Sequence, residues 1–182
     1  MEGSNPFARK ARLFWGVVAT IVASDAFTKI LAVDNLVPAY SPRPVLGSAV
    51  RLTLVYNPGA AFGLHLGPYS RWIFTALTIG ALVLLRHLYR TTVAGDWMRT
   101  LALALVCGGA IGNLVDRLKS GRGVVDFIDV GFGAHRWPTF NVADMAVSCG
   151  AVALALVLWR EDGRAAALAA RARGHHDAPI HG

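Results

Sequence analysis

The chain has 182 residues, of which 54 % are hydrophobic and 16 % are charged, against about 25 % charged residues in soluble domains. This composition favours a membrane protein and excludes extensive disorder, and the two cysteines, neither of them in a zinc motif, exclude a disulfide-rich scaffold. The net charge of +7 comes from basic residues at the ends of apolar segments, which is typical of membrane topology and not of a nucleic-acid-binding face.

Four apolar segments are each close to the roughly 20 residues that a helix needs to cross a bilayer. They cover residues 13–33, 69–88, 97–115 and 142–159. A signal peptide is the alternative for the first segment. However, its apolar stretch is too long, it contains Asp25 and Lys29, and no well-placed Ala-x-Ala site follows it. The sequence therefore predicts four transmembrane helices.

The Lys and Arg residues that flank the spans set the predicted orientation. The N-terminal tail, the 86–99 connection and the C-terminal tail together carry ten of them, and the longer 34–71 and 116–140 connections carry seven. Because cytoplasmic segments carry the excess of positive charge, both termini are predicted to lie in the cytoplasm. The two long connections then lie on the outer, periplasmic side.

Each long outer connection contains a strand-like run, at 49–56 and at 123–130. We therefore predict an all-α integral membrane protein with four transmembrane helices and a small extracytoplasmic β-sheet subdomain. The four-helix membrane domain is assigned to residues 1–164. The Ala- and Arg-rich segment 165–182 is predicted to be a cytoplasmic tail, at first helical and then disordered.

Several polar side chains lie inside or at the rim of the apolar segments, where a charge costs at least about 2.5–3.5 kcal/mol and so needs a partner or a function. Asp25 and Lys29 are four residues apart on one helix face, which suits an intrahelical ion pair or the brace of a site. Asn113 and Arg117 share a face in the same way. The alternative for Arg117 is interfacial snorkelling together with Asp116.

Other polar residues have simple structural explanations as well. Asn57 begins an Asn-Pro-Gly sequence, which is typical of a turn. Asn141 precedes the fourth span with Asp144 three residues later, a pattern that resembles a capping box. Asp126, in an otherwise apolar run, is compatible with a surface hairpin.

The places where these residues fall favour a common site. With the N-terminus inside, one group lies near the outer interface: Lys29, Asn57, Asn113, Arg117, Asp126, Asn141 and Asp144. Asp25 is about eight residues from the end of its span, or roughly 12 Å deep. Independent caps and turns would not collect at one interface, whereas an active site would.

Five motifs follow one another in the chain: Asp25-Ala-Phe-Thr-Lys29, Asn57-Pro-Gly-Ala-Ala-Phe-Gly63, Gly109-Ala-Ile-Gly-Asn113-Leu-Val-Asp116-Arg117, Val124-Val-Asp126-Phe127 and Phe140-Asn141-Val-Ala-Asp144. Together they resemble the bacterial lipoprotein signal peptidases, the signal peptidase II family, over about residues 13–160. In one departure, Arg117 and Asp126 are a residue further apart than usual, which a loop insertion accommodates.

The resemblance implies an aspartic endopeptidase of the bacterial inner membrane that cuts prolipoproteins just before a diacylglyceryl-modified cysteine. The family's catalytic pair maps onto Asp126 and Asp144. Its other motif residues map onto Asp25, Lys29, Asn57, Gly63, Asn113, Arg117 and Asn141. We further expect a site at the periplasmic face, contact with membrane lipid, inhibition by globomycin-type antibiotics, a monomer, and neither a cofactor, a metal nor a nucleic-acid partner.

The residue types agree with this chemistry. The sequence offers no Ser-His-Asp set, cysteine–base pair or metal-ligand cluster in a recognisable context, which leaves two carboxylates for hydrolysis. Two carboxylates around one water share a proton, because like charges at close range do not both ionise cheaply. The ionised carboxylate then activates water, and the protonated one polarises the scissile carbonyl.

The residues alone leave two other classes of protein open. A proton-coupled transporter would also carry charges within the membrane, although it usually shows internal repeats or broken helices, which this sequence does not display. A non-catalytic assembly factor would explain the small residues of the third span but not the clustered carboxylates.

Overall fold

The computed structural model describes residues 5–59 and 67–176 of the chain. Its four long helices are α1 Pro6–Asn35, α2 Ser70–Thr91, α3 Trp97–Lys119 and α4 Val142–His176. Each is long and apolar enough to cross a membrane, which confirms the predicted spans. The helices extend past these spans because hydropathy marks the part in the hydrocarbon, whereas helical hydrogen bonding continues into the polar flanks.

Polar side chains fix where two of the helices begin. Helix α1 follows Asn5, whose side-chain oxygen accepts a hydrogen bond from the Phe7 N–H at 2.9 Å, and Pro6 occupies the first turn. Helix α3 follows Asp96, whose carboxylate accepts from the Arg99 N–H at 3.0 Å. These caps satisfy backbone donors that have no partner within the helix.

A sheet of four antiparallel strands, in the order β1-β2-β3-β4, adjoins the helices. The strands are β1 Arg43–Leu46, β2 Val50–Asn57, β3 Val124–Phe132 and β4 His135–Arg136. Strands β2 and β3 confirm the two predicted strands, and they pair Val55 with Asp126. The sequence did not predict β1 or β4. Strand β1 contains Pro44 and exposes all its residues, and β4 has two residues, so neither shows an alternating pattern.

Two buried apolar clusters hold the helices and the sheet together. The first joins α1, α2 and α3 through Phe14, Val18, Leu85, Leu103, Ala104 and Cys107. The second joins the end of α1 to strands β2 and β3 through Ala32, Leu36, Leu54, Val125 and Phe127. Because α1 contributes to both clusters, it fixes the position of the sheet relative to the helices.

Helix α3 packs closely on its neighbours through glycines, as the small pair Gly108 and Gly112 predicted. A Cβ atom at Gly109 would lie 2.3 Å from the carbonyl oxygen of Ala143, and one at Gly112 would lie 2.6 Å from the carboxylate of Asp25. A larger residue would therefore push the helices apart. This close approach brings the polar residues of α3 within hydrogen-bond range of α1 and α4.

The fourth helix extends beyond the predicted span 142–159. Helix α4 continues to His176, so the first part of the segment 165–182 is helical. Its Ala- and Arg-rich composition favours a helix. Residues 177–182 lie outside the described part of the chain, and the division at residue 164 stays a prediction.

Candidate active site

The polar residues singled out in the sequence meet where the sheet adjoins the helices. They come from α1 (Asp25 and Lys29), β2 (Asn57), α3 (Asn113 and Arg117), β3 (Asp126) and the start of α4 (Asn141 and Asp144). Gly63 lies outside the described residues. The convergence expected from the sequence is therefore present for every predicted site residue that the structure describes.

Lys29 is the centre of the buried part of this site. Its Nζ lies 2.7 Å from the carboxylate of Asp25 and 2.8 Å from that of Asp116, and it donates a hydrogen bond to Asn113 Oδ1 at 3.0 Å. The ion pair with Asp25, one of the two interpretations of this spacing, is confirmed. Asp116 also accepts a hydrogen bond from the Val125 N–H at 3.2 Å, so it belongs to the site and is not a snorkelling surface residue.

Asp25 connects α1 to the first turn of α4. The residue is 1 % exposed, and its second oxygen accepts a hydrogen bond from the Ala143 N–H at 2.9 Å. The Asp25 carboxylate thus balances the charge of Lys29 and also holds the backbone beside Asp144. This geometry agrees with the interpretation of Asp25 and Lys29 as a brace.

Asn141 and Asp144 form the capping box that their spacing predicted. The Asp144 N–H donates to Asn141 Oδ1 at 2.9 Å, and the Asn141 N–H donates to Asp144 Oδ2 at 3.2 Å. Each side chain also has partners outside α4. The cap therefore fixes the orientation of two side chains that face the site, and capping and site formation are not alternatives here.

Two side-chain amides link the carboxylates of Asp126 and Asp144. Asn141 Nδ2 donates to Asp126 Oδ1 at 2.7 Å and lies 3.1 Å from Asn113 Oδ1. Asn113 Nδ2 in turn donates to Asp144 Oδ1 at 2.7 Å. The result is a continuous hydrogen-bonded chain from β3 through α4 and α3 and back to α4.

Asp126 is buried in this network. It is 2 % exposed, so the surface-hairpin interpretation is wrong. Burial, followed by the nearby charge of Asp144, raises the pKa of Asp126 to about 7. Hydrogen bonds from Asn141 and from Asn57 Nδ2, the latter at 3.1 Å, act in the opposite direction because they favour the ionised form.

Asp129 shows that this shift is specific to the place of Asp126 on the same strand. Asp129 is also buried, but Arg51 and Arg136 each lie 2.7 Å from its carboxylate, and the hydroxyl of Thr53 donates to it at 3.0 Å. Burial opposes ionisation, yet these partners outweigh it and hold the pKa of Asp129 below its ordinary value. Of these two carboxyls, only Asp126 thus has a raised pKa.

Arg117 is half-buried at the end of α3, within electrostatic range of Asp144, Asp126 and Asp116. Its backbone carbonyl accepts a hydrogen bond from Arg71 Nε at 2.5 Å. Its own Nε is buried and has no hydrogen-bond partner within the described part of the chain. A buried donor in this state is able to bind a carbonyl oxygen of a ligand.

Sequence reasoning missed Asp116 as a site residue, although it stands in the third motif. Asp116 is three residues after Asn113, a helical spacing that places the two side chains close together, and this signal was available.

Among the residues that the structure describes, no group of three or more His, Cys, Asp or Glu side chains has the arrangement of a metal site. The described groups are carboxylates, amides and cations, which are suited to proton transfer and to binding a peptide.

Comparison with known proteins identifies the family. A family model described as Signal peptidase (SPase) II matches residues 17–160. The lipoprotein signal peptidase of Xanthomonas campestris pv. campestris (strain 8004) is 42 % identical over 147 residues, which cover 79 % of this chain and 87 % of that protein. The lipoprotein signal peptidase of Rhodococcus jostii (strain RHA1) is 42 % identical over 160 residues, which cover 84 % and 75 %.

The fold is similar to that of solved proteins as well. A bacterial membrane enzyme, determined by the in meso method at 2.3 Å resolution, matches with a TM-score of 0.74 and 26 % identity over 83 % of this chain and 90 % of that one. The match supports the predicted architecture of four spans with a small sheet, and with the family it makes the chain a multi-pass protein of the bacterial inner membrane. The chain belongs to the signal peptidase II family, whose activity is the cleavage of lipoprotein signal peptides.

Proposed function

We propose that this peptidase uses an aspartic mechanism with Asp126 and Asp144 as its catalytic pair. The observation that carries the proposal is the hydrogen-bonded chain from Asp126 through Asn141 and Asn113 to Asp144. It fixes two carboxyl groups from different elements beside one another. The raised pKa of Asp126, about 7, favours a pair that holds one proton at neutral pH.

The proposed reaction needs one ionised and one protonated carboxyl. The ionised group takes a proton from water as the water oxygen bonds to the scissile carbonyl carbon, and the protonated group gives its proton to the carbonyl oxygen. When the tetrahedral intermediate collapses, the carbon–nitrogen bond breaks and the leaving amine takes up the proton that came from water. One hydroxyl of the intermediate at the same time returns its proton to the carboxylate that had protonated the carbonyl oxygen, so the pair again holds one proton. The two carboxyls titrate as a pair, so neither role is assigned to one of them.

The remaining predicted site residues support this pair. Asn57, Asn113 and Asn141 orient the carboxyls through the hydrogen bonds described above, and Asp25 and Lys29 hold α1, α3 and α4 together beneath them. Arg117 offers to a carbonyl of the substrate an Nε that no described residue engages. Gly63 follows Asn57 in the second motif, and we assign it to the substrate-binding segment on the resemblance alone.

The proposed substrate is a prolipoprotein that already carries a diacylglyceryl group on a cysteine, and the cut falls just before that cysteine. A site between transmembrane helices and an interfacial sheet suits such a substrate, because the acyl chains stay in the bilayer while the peptide reaches the carboxyls. Globomycin-type inhibitors are expected to compete for the same site, and the working unit is proposed to be a monomer.

A cleavage assay tests this proposal. The purified, detergent-solubilised chain should cut a diacylglyceryl-modified peptide to give a product that begins with the modified cysteine, and it should leave the same peptide without the lipid uncut. Equal cleavage of both peptides would contradict the proposed substrate. Absence of cleavage of both peptides would contradict the proposed mechanism and substrate together.

The proposed topology gives a second test. A reporter fused after Arg160 should report the cytoplasm, and one inserted near Pro42 should report the outside, because the connections on the Arg160 side carry the excess of Lys and Arg. Reporter activity in cells expressing each fusion is the measurement. If both reporters gave the opposite answer, the site would lie at the cytoplasmic face.

Replacement of the supporting residues should impair cleavage in a graded way. Asn113→Ala removes the amide between the carboxyls, and Arg117→Ala removes a donor to the substrate. Loss of one such hydrogen bond to a charged group costs about 1.5–3 kcal/mol, so kcat/KM should fall roughly ten- to two-hundred-fold. Arg122→Ala is a matched control for Arg117→Ala. Arg122 is exposed in the loop that follows α3, and its guanidinium group stacks on the ring of Tyr56. Unchanged kcat/KM in both folded variants would mean that this helix face serves packing and does not contact the substrate.

Cleavage should decline as pH rises through about 7, because burial raises the pKa of Asp126 to that value and the pair loses its proton above it. The hydrogen bond from Asn57 favours the ionised form, so Asn57→Ala should move this decline to higher pH. The measurement is kcat/KM against pH for both proteins. The control is Asn35→Ala, which removes an exposed amide at the end of α1 and should leave the profile in place. A decline that stays fixed or moves to lower pH in Asn57→Ala would contradict this assignment.

A further inference from the structure

We propose that a groove on the side of the helices, with its two arginines at the end of the bundle opposite the carboxyls, binds one anionic phospholipid. The groove lies between α1, α2 and α3 and has a volume of about 390 Å³. Apolar side chains that include Phe14, Val18 and Ile111 line it, and Arg86 and Arg90 of α2 stand at its rim. One acyl chain would occupy the apolar part, and the phosphate would lie between the two guanidinium groups.

The two arginines are in the position that such a headgroup requires. Arg86 and Arg90 are four residues apart in the last turns of α2 and therefore project from the same side of the helix. Both are exposed. Trp15, which also lines the groove, is 60 % exposed, as is typical of an aromatic side chain at the membrane interface.

Arg86 and Arg90 take part in no ion pair among the residues that the structure describes. By contrast, Arg99 at the same end of the bundle pairs with Glu161 at 2.5 Å. Lys10 is also engaged, since its Nζ donates to the carbonyls of Tyr89 and Thr92. Two guanidinium groups without an ion-pair partner in the described part of the chain, beside an apolar groove, complement a phosphate that carries acyl chains.

Charge also decides against the most obvious competing occupant, the signal peptide of a substrate. Signal peptides carry a positively charged N-terminal region, which Arg86 and Arg90 would repel. A zwitterionic lipid would fit the apolar part but would gain less from two cations than a lipid with net negative charge. The groove is therefore assigned to an anionic lipid.

This inference does not rest on the proposed catalytic mechanism. The residues that line the groove and those that contact the carboxyls are different, and Arg86 and Arg90 lie near the end of α2, away from the carboxyls. The proposed topology decides only which leaflet supplies the lipid. A binding measurement therefore tests the lipid site separately from cleavage.

The experiment measures the binding of dioleoyl-phosphatidylglycerol and dioleoyl-phosphatidylcholine to the purified full chain in detergent by native mass spectrometry. We expect one phosphatidylglycerol to bind about ten- to thirtyfold more tightly than phosphatidylcholine, as two arginines near a lipid headgroup would give. Arg86→Gln/Arg90→Gln should remove this preference. The control, Arg160→Gln/Arg164→Gln, removes two exposed arginines with the same spacing at the same end but outside the groove, and it should keep the preference.

Three outcomes would overturn the proposal. The first is equal binding of the two lipids by the unaltered chain. The second is an equal loss of preference in the two double variants, which would indicate a diffuse charge effect. The third is displacement of the bound phosphatidylglycerol by a Lys-rich signal-peptide fragment, which would assign the groove to the substrate. Thermal melting of both variants verifies that they are folded, as expected for changes at exposed helix positions.

Discussion

Asparagine at either position of the proposed pair, Asp126→Asn or Asp144→Asn, should abolish cleavage and leave the protein folded and inserted in the membrane. The change keeps the size of the side chain but removes the group that takes or gives the proton. The amides of Asn113 and Asn141, which contact these carboxyls, do not titrate and cannot replace them. General acid–base catalysis contributes about 10²–10⁴-fold, so kcat should fall at least that far.

Asp129→Asn is the matched control for Asp126→Asn. Both aspartates are buried on β3, but Asp129 pairs with Arg51 and Arg136 and lies outside the network that links the catalytic pair. Its replacement should lower the melting temperature and leave kcat of the folded protein near normal. Turnover close to that of the unaltered enzyme in Asp126→Asn or Asp144→Asn would remove that residue from the catalytic role. Equal loss of kcat in Asp129→Asn would mean that the assay reports disturbance of the sheet.

Much of the fold could be predicted because the membrane imposes simple rules on the sequence. A helix that crosses the hydrocarbon needs a long apolar run, and the four runs are unmistakable. The polar residues at their ends were informative for the same reason, since a charge such as Lys29 does not lie in an apolar span without partners. Strands β2 and β3 were predictable because the runs 49–56 and 123–130 have the residue pattern of a β-strand.

What the sequence could not provide is the set of partners that each polar residue finds in space. The hydrogen bond from the Ala143 N–H to Asp25 joins residues 118 positions apart, and it depends on the close packing at Gly112. Capping and catalysis were weighed as alternatives for Asn141, whereas the structure uses the same amide for a cap and for the link to Asp126. Pattern rules treat each element by itself and so cannot detect such double use.

The largest loss of stability is expected from Lys29→Met. The change keeps the length of the side chain, which is 5 % exposed, but leaves the carboxylates of Asp25 and Asp116 without the cation that lies 2.7 and 2.8 Å from them. Removing one partner of a buried ion pair costs about 3–5 kcal/mol, because the charge that remains is neither solvated nor paired. The change also removes the contacts of Lys29 between α1 and α3, since Lys29 donates to Asn113 of α3 as well.

The measurement is the melting temperature of Lys29→Met in detergent, compared with that of a control variant, Arg99→Met. Arg99 and Glu161 also form an ion pair between two helices, but their side chains are 26 % and 43 % exposed, so this pair is worth about 0–1 kcal/mol. Lys29→Met should therefore melt well below the unaltered protein, and Arg99→Met should melt close to it. A melting temperature of Lys29→Met equal to that of Arg99→Met would show that Asp25 and Asp116 tolerate the loss of the cation. The polar network beneath the carboxyls would then be held by packing at the glycines of α3 and not by the charge of Lys29.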